Sequence, residues 1–155
     1  IQLKEKEYGH ELIELALSVT GSRPLQTLYL LGAFAEVKQE DWFTKLVNSA
    51  VRVKNILTKA EGVSSSVNPS LFVKDAEKDL YAAVNEAEKP VEAALRKSDW
   101  NGLMNALAQL SPAVSAFFDD VMVMDEDAAV RANRLALLTH CQNLFMRVGD
   151  LSKVK

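Results

Sequence analysis

Sulfur and imidazole are scarce in this chain: one cysteine, Cys141, and two histidines, His10 and His140, among 155 residues. An internal disulfide is excluded, and the cysteine count suits a reducing compartment. Two histidines and one cysteine are too few for a typical structural zinc site. His140 and Cys141 are adjacent, and neighbours on a helix point about 100° apart, so they cannot pair as nucleophile and base. No phosphate-cradling glycine loop and no dinucleotide fingerprint occurs. Excess positive charge is also lacking: 18 Lys and Arg face 21 Asp and Glu, for a net charge of -3. That excludes a generally basic nucleic-acid binder but leaves room for a local basic face. No apolar run approaches the roughly 18 residues that span a bilayer, so no membrane association is expected. The chain opens Ile1-Gln2-Leu3, without an initiator Met or a leader, and reads as an internal or C-terminal piece of a larger protein. The acidic clusters Asp119-Asp120 and Asp125-Glu126-Asp127 read as helix caps and ion-pair partners rather than acid–base groups. No catalytic residue and no metal site is therefore expected.

Glycine (6) and proline (4) are also few, and they punctuate long stretches with helical spacing. Residues 3–20 predict a first helix with Leu12, Leu15, Ala16 and Val19 on one face, ended by Gly21-Ser22. Pro24 opens a second helix to about Lys38, apolar nearly all round and expected to be central. A third runs from Asp41 to Ala60, with Gly62 as its stop signal. A fourth covers Lys74 to Lys97, and Pro90 predicts a kink or split within it. Ser98-Asp99 and Ser111-Pro112 announce two short helices, ending near Leu110 and Asp120. Val121–Met124 predicts a buried extended connection rather than sheet, and Asp125 a cap for a last helix ending near Gly149. The expected fold class is all-α, a bundle of about six to seven helices. It forms one domain over 1–155 with subregions of about 1–61 and 70–155, because the loop-like tract 62–70 is too short for a domain linker.

The tract 42–60 carries chemistry. It holds four basic residues and no acidic one, in a chain that is acidic overall. Lys45, Asn48, Arg52, Asn55 and Lys59 recur at steps of three and four, which places them within roughly 80° of one helix face. Phe43, Leu46, Ala50, Val53 and Leu57 take the opposite face. Lys and Arg neutralise phosphates and Asn bonds base edges or sugars, so the stripe is a candidate RNA-binding surface, weighed against an ordinary solvated face. Lys54 lies off it and reads as solvated. A second feature is Arg134, which falls inside the apolar arc of the last helix while Arg131 sits at its edge. A buried guanidinium keeps its charge and needs a partner. Asp119 and Asp120 are the expected partners, with Asp125 as a further candidate.

Several blocks carry a family resemblance: Ser111-Pro-Ala-Val-Ser-Ala-Phe-Phe-Asp-Asp-Val-Met-Val-Met124, Arg131-Ala-Asn-Arg-Leu-Ala-Leu-Leu138 and Leu144-Phe-Met-Arg-Val-Gly-Asp-Leu-Ser152. Val67-Asn-Pro-Ser-Leu-Phe72, Ala76-Glu-Lys-Asp-Leu-Tyr81 and Arg52-Val-Lys-Asn-Ile-Leu57 add to it. Together, over about residues 49–155, they resemble the C-terminal anticodon-binding domain of bacterial-type glycyl-tRNA synthetase beta subunits. At Ala50 and Val51 the chain departs from the Asn-Lys that this family often carries before the arginine. The arginyl enzyme has a related helical domain with a similar Phe-Phe-Asp corner, and a purely structural helical module is the rival class. The resemblance implies a helical domain that docks the tRNA for glycine, not DNA. It implies a glycylation site on an alpha subunit or fused alpha region, and no cofactor in this domain, since ATP and glycine are used by the whole enzyme. It also implies a cytoplasmic location, or an organellar one for a plastid or mitochondrial parent.

Overall fold

Helical spacing is realised almost wherever the sequence offers it. The computed structural model describes residues 10–21, 23–60 and 66–151. Among these residues there are seven α-helices and no strand: α1 (His10–Thr20), α2 (Pro24–Val37), α3 (Asp41–Lys59), α4 (Asp75–Lys97), α5 (Trp100–Ala108), α6 (Ser111–Asp120) and α7 (Ala128–Phe145). Short 3-10 turns occupy Pro69–Leu71 and Met146–Val148. The beginning of the first expected helix, 3–9, and the stop at Gly62 lie outside the described residues. Gly21, at φ 60°, ends α1 where the sequence predicts a break.

The body of the bundle is built by α3 to α7. The long α4 packs against α5, α6 and α7, and α3 lies across α5, α6 and α7. Leu80, Val84 and Val91 from α4, Leu103 and Leu107 from α5, Phe117 from α6 and Leu137 and Cys141 from α7 meet in its core. The α1–α2 pair attaches at one end, through α5 and the turn after α7. There Gly149, at φ 100°, meets Leu15 so closely that a Cβ would collide with it.

Two expectations about helices fail for stated reasons. α2 is not central: Leu30, Leu31 and Phe34 are fully buried, but Leu25 and Tyr29 are 56% and 57% exposed. Among the described residues α1 and α5 are the main neighbours of α2, and they leave Leu25 and Tyr29 largely in solvent. Of the kink or split expected at Pro90, the split does not occur: Pro90 sits in an unbroken helix from Asp75 to Lys97. Pro90 and Glu86 are both exposed, so the Glu86 carbonyl that loses its amide donor can turn to water.

The caps are mixed. Asp99 caps α5 by accepting from Gly102 N–H at 2.9 Å, as expected. Ser111 does not cap α6: it is the helix's first residue, is buried, and its Oγ has no partner. Nor does Asp125 cap α7. Asp127 does, accepting from Ala129 and Val130 N–H at 2.9 and 3.3 Å. Asp125 instead supports the turn before it, accepting from Asp127 N–H at 2.9 Å. The connection between α6 and α7 forms no sheet, as expected, but it is only half buried: Val121 and Val123 are buried while Met122 and Met124 are exposed, because alternate side chains of the segment face the core and solvent.

Candidate nucleic-acid interface

α3 presents two unlike faces. Phe43, Leu46, Ala50 and Val53 are buried and Leu57 is half-buried, while Lys45, Asn48, Arg52, Asn55 and Lys59 are all exposed. The five polar residues therefore share one solvent face, as their spacing predicts. Lys54 differs from expectation: its Nζ donates to Asp150 Oδ2 at 2.7 Å and ties α3 to the segment after α7.

Arg52 is held by an aromatic side chain the spacing did not reveal. Its guanidinium carbon lies 4.4 Å from the centroid of the Phe118 ring, within cation–π range. Phe117 is fully buried, and the half-buried Phe118, next to it on α6, is edge-on to it at 5.8 Å. Beside this pair opens a cleft of about 420 Å³, with Arg52, Asn55 and Lys59 on one side and Ile56, Phe118 and Met124 completing it. Phe118 and Met124 were missed as site residues because only the tertiary fold brings them to α3. No local pattern marked Met124, because Val121–Met124 is apolar throughout and reads as buried, whereas the fold leaves Met124 53% exposed.

Behind this connection lies a buried polar knot. Arg134 is 3% exposed, as its place in the apolar arc requires, but Asp119 and Asp120 are not its partners. Both are exposed at the end of α6, and the guanidinium reaches neither. Arg134 Nε donates to Glu77 Oε1 at 2.9 Å, and its Nη1 donates to the Met122 carbonyl at 2.6 Å and to Asp125 Oδ2 at 3.4 Å. The α6–α7 connection bends so that its carbonyl, not the preceding carboxylates, points inward. Glu77 is completely buried and also accepts from Val73 and Lys74 N–H, both at 2.8 Å, at the start of α4. Burial pushes its carboxyl pKa up, but the Arg134 bond and the two backbone donors outweigh this and hold it below its ordinary value near 4.5. Nearby, Asn133 Nδ2 donates to the Asn68 carbonyl at 3.0 Å and its Oδ1 accepts from Asn68 N–H at 2.6 Å, pinning the 3-10 turn to α7.

His140 is half-buried, Cys141 is fully buried, and burial raises the Cys141 thiol pKa, so that thiolate chemistry is suppressed. Among the described residues no group of three or more His, Cys, Asp or Glu side chains is placed to hold a metal ion. No described helix is long and apolar enough to cross a membrane.

Residues 46–154, which contain most of α3, the cleft and the knot, match the DALR anticodon binding domain. The chain belongs to that family. The DALR match begins within α3, so α1 and α2 precede it. Similarity to full-length proteins extends over nearly the whole chain. It is 35% identical over 153 residues to the "Glycine--tRNA ligase beta subunit" of Desulforapulum autotrophicum, covering 98% of this chain and 22% of that protein. It is 38% identical over 156 residues to the protein of that name from Thiobacillus denitrificans, again covering 98% and 22%. The Ralstonia nicotianae protein of that name is 38% identical over 155 residues, with the same coverage. The DALR chain thus spans about a fifth of the length of these relatives.

Proposed function

We propose that this chain is the anticodon-recognition part of a glycine–tRNA ligase beta subunit and docks the anticodon stem-loop of the tRNA for glycine on α3. The observation that carries the reading is the solvent face of Lys45, Asn48, Arg52, Asn55 and Lys59, which lies almost wholly within the DALR match of an acidic chain. Cations at this spacing neutralise successive phosphates, and the interleaved amides reach sugars or bases. The names of the relatives favour glycine over arginine as the amino acid served. The domain itself carries no reacting group in this reading. Glycine and ATP are bound elsewhere in the enzyme, on an alpha subunit or fused alpha region, and the work takes place in the cytoplasm or an organelle.

Titration of the intact protein with the tRNA for glycine and with a tRNA of different anticodon tests this. The first should bind more tightly, and affinity should fall steeply with salt, as phosphate contacts require. Arg52→Glu with Lys59→Glu should weaken binding at least about tenfold through lost counterion release, with helicity unchanged. Unchanged affinity at low salt with the fold intact would reduce the stripe to a solvated face. A complex indifferent to salt would favour an apolar subunit contact instead.

A further inference from the structure

The α1–α2 hairpin stands outside the DALR match, which begins at residue 46 within α3. The long relatives nevertheless share it, since their similarity covers 98% of this chain. One face of α2 is built for a contact that the described residues do not supply. Leu25, Tyr29, Gly32 and Glu36 recur at steps of four, three and four, which puts them within roughly 60° of one helix face. That spacing is the seam along which two helices interlock. Leu25 and Tyr29 on it are 56% and 57% exposed. Gly32 weakens the middle of a helix, and a Cβ there would meet nothing within 4 Å, so the packing of α2 gives no reason for glycine. It lines a recess of about 360 Å³ between α2 and the start of α5, bordered by Leu28, Tyr29, Glu36, Asp99 and Trp100. A missing side chain beside an open recess lets a second backbone approach closely. Glu36 and Asp99 are exposed carboxylates, which repel phosphates and suit a basic side chain.

We propose that this seam docks a helix from the remainder of the beta-subunit polypeptide, apolar along one side and carrying a Lys or Arg opposite Glu36 and Asp99. The inference rests on the reading of this chain as part of a beta subunit and adds how that part is held to the rest. This chain spans 22% of the length of these relatives, so roughly four-fifths of such a polypeptide lies outside it. A tethered segment meets the seam at an effective concentration that a free second copy does not reach. The α1–α2 pair is itself fixed to the DALR unit: Leu15 fills the space beside Gly149, and Asn101 Nδ2 of α5 donates to Glu36 Oε2 at 3.2 Å. A helix seated on α2 thereby sets the orientation of α3 and its basic stripe relative to the rest of the polypeptide.

The test is hydroxyl-radical footprinting of the full-length polypeptide, without RNA or another subunit, read residue by residue by mass spectrometry. Corrected for intrinsic reactivity, Leu25 and Tyr29 should lose labelling to the level of buried Leu30 and Leu31, while Val73 and Met122, 66% and 73% exposed, stay labelled. Gly32→Arg puts a long side chain where a Cβ has open space and replaces glycine with a good helix former, so helicity should hold. Labelling of Leu25 and Tyr29 should return in that variant. Free labelling of Tyr29 in the wild-type polypeptide would overturn the docking. Protection that appears only on concentrating the protein, only with added tRNA or only with added alpha subunit overturns it too, and assigns the seam to a second copy, to RNA or to the other subunit. Protection that survives Gly32→Arg with helicity intact also removes the seam. Titration of the same sample with the tRNA for glycine reads separately: salt-sensitive binding can persist when the docking fails, and Tyr29 can be protected where no RNA binds.

Discussion

Arg52 and Arg134 put the same side chain to opposite uses on two sides of one connecting segment. Arg52 lies in the open, supported by a phenyl ring, with its donors facing solvent. Arg134 is 3% exposed and donates to two carboxylates and a carbonyl. The guanidinium does not lose its charge at any accessible pH, so its surroundings must supply either water or partners. The exposed region leaves that demand to water and, in the proposed reading, to RNA. The buried region meets it internally and gains a cross-link between the start of α4, the α6–α7 connection and α7. If the proposed function holds, binding and stability fall to different residues even though Val121–Asp125 borders both regions.

The sharpest way to break this comparison is to truncate each arginine in turn. Arg134→Ala should cost about 3–5 kcal/mol, because Glu77 would remain buried and charged without its partner; thermal or urea unfolding measures it. Acidification probes the same knot from its other side. The Glu77 pKa is held down in the folded protein, so its contribution is complete above about 4.5 and drains away as pH falls through the lower folded value. The Arg134→Ala protein should show a flatter loss of stability over that acid window. A wild-type profile with no dependence there would mean that Glu77 is not held as the charged partner. Asp127→Ala removes the α7 cap and should cost about 1 kcal/mol, within the usual 0.5–2 kcal/mol. The smallest effect belongs to the open region. Arg52→Ala should change unfolding free energy by less than about 1 kcal/mol, the scale of an exposed cation–π contact. If it cost as much as Arg134→Ala, the division between the two regions would be wrong.

What the sequence made legible follows from the range of the interactions involved. The faces of α3 could be assigned because period alone sorts its residues, and both sides of that sorting are seen in the burial. Arg134 could be recognised as a buried charge for the same reason. Of its partners Asp125 was among the candidates, but Glu77 was not, since it is 57 residues away. Glu77 bonds the backbone N–H of Lys74, yet Lys74 is not the Ser or Thr that would announce a capping box, so no local pattern marked it. α2 misled because hydrophobicity states what a helix can bury, not how many neighbours it has. Leu25 and Tyr29 remain exposed although α1 and α5 pack on this helix, with Tyr29 at the edge of a recess that Trp100 and Asn101 of α5 also line. Phe118 and Met124 became neighbours of Arg52 only through the packing of α6 and the connection after it against α3. The cap of α7 is Asp127 rather than Asp125 because the two aspartates are equally good caps on paper, and in the fold Asp125 turns to Arg134 and the Asp127 N–H while Asp127 meets the helix amides.

Cys141 turns the whole bundle into its own clock. The chain has one thiol, it is fully buried on α7, and burial keeps it protonated. An alkylating reagent can reach it only when the helices around α7 come apart, so labelling counts openings of the core. When reclosing outruns labelling, the rate is the intrinsic thiol reactivity multiplied by the fraction of time spent open. One mass increment per molecule then reports the opening free energy of the native protein without denaturant. A bound RNA that favours the closed form should slow the clock in proportion to its occupancy.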